Sequence, residues 1–265
     1  TIQKWPKKVR LLLTSLTAEA WVRGNRADEA LSFITGHDFP DAAFWRGQAL
    51  LQKGDYVQAE NAFITYPASG PLASYALLGA SHAFIGQDRE STARGRCKAL
   101  RGDSREDVAR HARLLFNELE LGGDRTQTVL DRLNKEKESK DSSVAYLVAR
   151  SLTERGELPQ AESQLRHILT QKGVGEKLHD ASTVLLAEVL WRQSKSEGLA
   201  LLLTHLNSLT QESVDHRTET AYWAEAFDLL SRISASTKSD PKLISAAVAW
   251  LSPMVSTECR GHALY

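Results

Sequence analysis

Eight histidines and two cysteines are the residues best equipped for metal or nucleophilic chemistry, and their spacing withholds it. A zinc hydrolase carries two histidines one helical turn apart with a glutamate between, so that both rings reach one ion beside a general base. No pair here has that spacing, and His82 and His111 sit on helical runs where a solvated or hydrogen-bonded structural role is expected. Cys97 and Cys259 lie far apart, and neither belongs to a full set of Cys and His ligands at zinc-site spacing. They read as two unrelated thiols. There is no Gly-x-Ser-x-Gly turn to expose a nucleophile and no glycine loop to cradle phosphate. Arg101-Gly102-Asp103 matches an adhesion tripeptide, but a turn ahead of a helix start uses the same Gly-Asp. Arg94, Arg96, Lys98 and Arg101 form the densest basic run, and at helical spacing their side chains spread round the surface. The expectation is a protein without catalytic residues, metal or cofactor.

Composition points the same way. The chain has 265 residues, 42% hydrophobic and 25% charged, which is ordinary for a folded protein. Lys plus Arg and Asp plus Glu number 33 each, so no whole-molecule field draws in nucleic acid or an anionic membrane. The longest apolar run, Gly198 to Leu203, falls far short of the roughly 20 residues that span a bilayer. No signal-peptide pattern is present. The chain opens on Thr1, from which a removed or excised segment is expected, so the compartment stays open.

Helical periodicity dominates, in paired runs separated by short breaks at Gly, Pro, Asp or Ser. The first pair is Lys7 to Gly24 and Ala27 to Ile34. Asp41, just after Pro40, is the expected N-cap of the next helix. That helix carries Phe44, Trp45, Gly47 and Leu50, and its partner carries Tyr56, Ala59 and Phe63 before Pro71. A third pair runs Leu72 to Ile85 and Arg89 to Leu100. Gly79 follows Gly47, and Gly86 follows Gly54, each at 32 residues. Asp103 and Ser104 open a fourth pair, interrupted at Gly122-Gly123 before Asp124. The charged run Asn134 to Asp141 reads as a solvated helix end and loop. A fifth pair holds Val144, Leu147 and Leu152, then Ala161, Leu165 and Ile168. Looser pairs follow over Leu178 to Leu209 and His216 to Leu251, ending at Pro253, with 256–265 as a further start or a tail.

A period in this range marks a helical solenoid, in which each pair buries its apolar faces on its neighbours. Gly54, Gly86 and Gly156 are expected to end helices in the left-handed conformation. The first pair carries an extra turn residue, since Gly24 lies six before Ala30 whereas Gly54 lies five before Ala59.

Gly47, Leu50, Gly54, Tyr56, Ala59, Phe63 and Pro71 together resemble the tetratricopeptide repeat (TPR) family. Gly79 and Gly86 match a second copy, and Ala149, Leu152, Gly156, Ala161 and Leu165 a later one. The resemblance is clearest over 41–100 and 142–170. It implies an all-α, right-handed α-solenoid of about seven antiparallel helix pairs, with TPR-like repeats over 1–175 and divergent repeats continuing over 176–265. It also implies a concave groove, lined by the first helix of each pair, that receives a peptide or helix of a partner.

Carried over by register, the groove takes Asp41, Phe44, Gln48 and Leu51, then Ala73, Ala76, Ala80 and Ala83. Ala112 and Phe116 follow, then Tyr146 and Arg150, then Val184, Glu188 and Trp191. The partner-binding candidates are Phe44, Gln48, Phe116, Tyr146, Arg150, Glu188 and Trp191. Family members that grip a terminal carboxylate use Lys, Arg and Asn along this groove, whereas the matching positions here are mainly Ala, Phe and Gln. The function this implies is a non-catalytic protein-interaction scaffold, part of a larger chain or assembly. The alternatives are a helical-repeat nucleic-acid binder and a structural spacer.

Overall fold

The computed structural model describes residues 5–121, 125–135 and 141–212 (side chains to 206 in the last stretch), together with 226, 228–230 and 232–233. Gly122-Gly123, Asp124, most of the charged run 136–140, the bounds of the seventh pair and the final residues lie outside them. All regular structure among the described residues is helical. The chain divides into two compact units, 1–120 and 121–265.

The first unit holds α1 (Lys7–Arg23), α2 (Ala27–Thr35), α3 (Ala42–Gln52), α4 (Tyr56–Ile64), α5 (Ala73–Ile85), α6 (Glu90–Leu100) and α7 (Glu106–Leu119). The second holds α8 (Thr126–Lys135), α9 (Ser142–Glu154), α10 (Leu158–Thr170), α11 (Glu176–Arg192) and α12 (Glu197–Glu212), followed by helical positions at 226, 228–230 and 232–233. Within each unit every helix packs on the next in sequence, the arrangement of a helical repeat. In the second unit α10 and α11, on either side of residue 175, pack directly on each other. None of the described helices is long and apolar enough to cross a membrane.

One turn recurs inside the pairs. A residue in the left-handed region follows the first helix: Asn25, Gly54, Asp88, Gly156 and Ser194, with φ of 57°, 73°, 57°, 77° and 61°. The next amide then reaches back to a carbonyl five residues earlier. Arg26, Asp55, Arg89, Glu157 and Lys195 donate to Trp21, Leu50, Phe84, Leu152 and Leu190 at 2.9–3.0 Å. This is the Schellman closure, which satisfies carbonyls that the helix end leaves open. Glycine takes the left-handed φ without a Cβ clash, and Asn or Asp tolerates it with local hydrogen bonding.

The turns correct three expectations. Gly86 has φ −63° and is not the left-handed residue of its turn; Asp88 is. A Cβ on Gly86 would lie 2.4 Å from the Tyr56 ring, so its smallness serves packing. Gly24, at φ −78°, likewise yields to Asn25, and the first pair has no extra residue. Counted from the left-handed position, a buried residue comes five later each time: Ala30, Ala59, Ala93 and Ala161 in four of the turns and Leu199 in the fifth. Third, the turn-to-turn period from Gly54 to Asp88 is 34 residues rather than 32, because α5 has 13 residues where α3 has 11.

Phe63 shows how neighbouring pairs lock. It is buried on α4 between α3 and α5, where a Cβ on Gly47 would lie 2.7 Å from its ring and one on Gly79 2.5 Å. Two glycines thus admit one aromatic ring, with Phe44 edge-on at 6.0 Å. One period later the same position is Cys97, a free, fully buried thiol that burial pushes up in pKa.

Asp41 stands at the start of α3, yet its side chain does not cap that helix. It accepts from Ser15 Oγ at 3.1 Å and from Tyr66 Oη at 2.8 Å, tying α1 to the end of the second pair. Asp103 does the equivalent with Ser74 Oγ at 2.7 Å and the Arg105 amide at 2.9 Å. Asp55 and Asp141 do cap, on the amides of Gln58 and Ser143.

Candidate partner-binding surface

The first helices contact one another from pair to pair: α1 with α3, α3 with α5, α5 with α7, and in the second unit α9 with α11. The second helices make no comparable contact among the described residues. Closer approach on one side makes that side the inner face of each row, so the first helices supply its surface.

Two register positions, each repeating at 34 residues, run along these helices. Phe44, Leu78, Ala112 and Tyr146 occupy one; Gln48, His82, Phe116 and Arg150 occupy the other. The 32-residue spacing had picked Ala76, Ala80 and Ala83 on α5, and these are buried in the core of the first unit. The residues at the matching register are Leu78 and His82. The recurring turn was the signal that would have found them, but its marker there is Asp88 and not a glycine.

In the first unit the aromatic candidates face inward. Phe44 is buried against Trp45, Phe63 and Tyr66. Phe116 is buried beneath the Arg101 guanidinium, 4.4 Å above its ring. Gln48 is half-buried, with Leu51 and Ala73. His82 is solvent-exposed and meets His111 of α7 edge-on, with ring centroids 6.4 Å apart. Although water reaches His82, the protein crowded round it, with His111 adding repulsion, lowers its imidazole to about 4. Burial also lowers His111, so both rings are neutral at pH 7. On the same helices the Tyr75 hydroxyl donates to Asp107 at 2.5 Å, and Arg105 lies 5.3 Å over the Tyr75 ring.

The basic run is absorbed in a similar way. Arg96 lies over Phe84 at 5.0 Å and Arg101 over Phe116, so two of its four cations are stacked on rings. Asp103 of the adhesion-like tripeptide is held by Ser74 and the Arg105 amide. Among the described residues no three His, Cys, Asp or Glu gather as a metal set.

In the second unit three candidates converge. Tyr146 and Arg150 of α9 and Glu188 of α11 line a hollow of about 250 Å³, closed on another side by Asp228, Leu229 and Arg232. Arg232 donates to Glu188 at 3.1 Å and to Asp228 at 2.9 Å, and Arg192 stands 4.0 Å from Glu188. Val184 forms part of the wall. Trp191 does not: half-buried, it packs with the core formed by Ala187, Leu199, Leu202 and Leu229. The hollow presents one aromatic ring, a cluster of alternating charges and an apolar floor. A wider hollow of about 560 Å³ in the first unit borders the α2–α3 loop at Ile34, Phe39, Arg46 and Pro67.

No protein-family model matches the sequence, and comparison with curated proteins yields no match.

Proposed function

We propose that this chain is a non-catalytic interaction scaffold of the TPR type, coiled right-handedly, that holds a peptide or helix of a partner protein against its first helices. The observation that carries the reading is the convergence of Tyr146, Arg150 and Glu188, from two successive first helices, on one hollow. A rigid helical row presents these groups already ordered, so little conformational entropy is lost by the scaffold on binding. Tyr and Arg are the side chains that most often dominate interface energies. The Glu188–Arg232 pair favours a partner segment with polar ends around an apolar anchor, because Arg232 already neutralises Glu188 and Asp228.

The test is selection of binders from a displayed random-peptide library on the wild-type chain, with affinities then measured against Tyr146→Ala and Arg150→Glu. Selected peptides are expected to lose tenfold or more in affinity to each variant, while helicity and melting stay close to wild type. Peptides that bind both variants as tightly as the wild type would place the binding surface elsewhere. Binding of single-stranded RNA or DNA that weakens steeply with salt would favour the nucleic-acid reading instead.

A further inference from the structure

Six histidines lie among the described residues, and four of them set a ring nitrogen against a polar neighbour. His37 Nδ1 meets the Phe33 carbonyl at 2.7 Å and His167 Nε2 the Gln171 amide at 3.0 Å. His179 and His205 stand 3.7 and 3.9 Å from one carboxylate oxygen of Asp180. His82 and His111 differ. Their rings meet each other, with centroids 6.4 Å apart and planes at 87°, and among the described residues no hydrogen bond engages their nitrogens. Both side chains are exposed, so an ion reaches them from water. The pair is also held in place by the fold. His82 belongs to α5 and His111 to α7, first helices that touch within the first unit. Tyr75 lies two turns before His82 on its side of α5, and Asp107 one turn before His111 on its side of α7. The 2.5 Å hydrogen bond from Tyr75 to Asp107 ties the two helices along the seam that carries the imidazoles.

Imidazole is the side chain most often used to ligate metals. An ion bound at about 2.0–2.1 Å by one nitrogen of each ring brings the ring centroids to roughly 5 Å at a tetrahedral angle. The observed pair is open by little more than an ångström beyond that. A turn of about 20° at each χ1 closes the gap without leaving a rotamer well. Charge does not select the ion, because Asp107 and Arg110 act on His111 with opposite signs. Ligand type does. Neutral imidazole suits zinc, copper and nickel, whereas magnesium and calcium take oxygen ligands. We propose that His82 and His111 together bind one such transition-metal ion, bridging α5 and α7. Two protein ligands leave the other positions of the ion to water or to a donor group of an incoming molecule. His82 shares its register with Gln48, Phe116 and Arg150, so those open positions lie on the inner face of the row. The site belongs to the first unit and does not depend on the hollow at Tyr146 and Arg150.

The test is calorimetric titration of the full chain with zinc chloride at neutral pH, repeated with nickel and with magnesium. Zinc and nickel are expected to bind, and magnesium is not. His82→Ala and His111→Ala each weaken zinc at least tenfold. The double variant is no weaker than either single one, because a chelate is lost with its first ligand. Zinc also raises the melting midpoint of the wild type, since a ligand of the folded state alone stabilises it, and a chelator reverses the rise. Neither single variant responds. Because both side chains are exposed, circular dichroism of the variants without metal should match wild type. Should an alanine variant lose helicity, His82→Gln and His111→Gln carry the same comparison with the side-chain bulk kept. The proposal is overturned by zinc affinity that is unchanged in either variant, by losses that simply add in the double variant, or by magnesium binding as tightly as zinc.

Discussion

Phe63 is the residue on which the packing of the first unit can be tested most sharply, because its ring occupies space left by two glycines on different helices. Truncating it to alanine is expected to cost about 3–5 kcal/mol, the usual range for a buried aromatic. Gly79→Ala attacks the same contact from the other side by placing a Cβ 2.5 Å from the Phe63 ring, and overpacking of this kind costs about 1–3 kcal/mol. If the two act through one contact their costs do not add. In urea denaturation the double variant Phe63→Leu with Gly79→Ala should be more stable than the sum of its parts by about 1 kcal/mol, a coupling in the range seen for touching residues. Strict additivity would show that Gly79 is small for another reason. The sequence marked Phe63, Gly47 and Gly79 as close-packing residues, since size and helical spacing alone carry that message. It misled at Gly86, where glycine makes room for the Tyr56 ring, and at Gly24, where the left-handed residue is the next one, Asn25.

Between elements, the same glutamate staples one pair to the next in both units. Glu60 follows Ala59 on α4 and accepts from Gln87 at 2.9 Å and Arg89 at 2.7 Å, in and after the turn that ends α5. Glu162 follows Ala161 on α10, three periods of 34 later, and accepts from Gln193 at 2.9 Å and Lys195 at 2.6 Å after α11. The donors flank the left-handed residue, Asp88 in one case and Ser194 in the other. The turn therefore also sets where the next pair is gripped. The Lys195 ammonium, against the opposing effect of burial and with help from Gln193 and Arg166, lowers the Glu162 carboxyl from 4.5 to about 2. A carboxylate with a depressed folded-state pKa contributes stability above its unfolded value and loses it as pH falls toward the folded one. The contribution of Glu162 is thus whole above about pH 4.5 and drains between 4.5 and 2. Lys195 is partly solvated, so the amount is about 1 kcal/mol or less. Glu162→Gln should lower the urea midpoint at pH 7 and flatten its decline between pH 4.5 and 2.5. An unchanged slope would show the pair to be idle in solution.

At the scale of the whole chain, charge balance and repeat architecture bear on what can bind. Equal numbers of acidic and basic residues leave no long-range field, and the densest basic run spends two guanidinium groups on Phe84 and Phe116. The chain is therefore expected to flow through a heparin column at about 0.15 M salt, an ionic strength at which the Debye length is about 8 Å. Retention that persists to several times that salt would revive the nucleic-acid reading. In such a row each pair answers mainly to its neighbours, so a change at one turn is felt chiefly by the pairs on either side of it.

Among the described residues, the helices, their pairing and most of the core can be read from the chain alone. Those features follow from apolar spacing, from small residues at close approaches and from the alanine that trails four of the five turns, all of them local or nearest-neighbour effects. Even Tyr146, Arg150 and Glu188 were legible, since register alone places them on the same side of successive first helices. That the left-handed residue is Asn25, Asp88 or Ser194 in three of the turns emerges only in the folded chain, because a backbone conformation is tied to no single residue type. The tertiary structure also decided that Phe44 and Phe116 turn into the core, and that Trp191 does so in part, while His82 stays open and Arg232 reaches across to Glu188. A helical register fixes the side of a helix, but whether that side meets water, an arginine or another helix depends on residues far away in the chain.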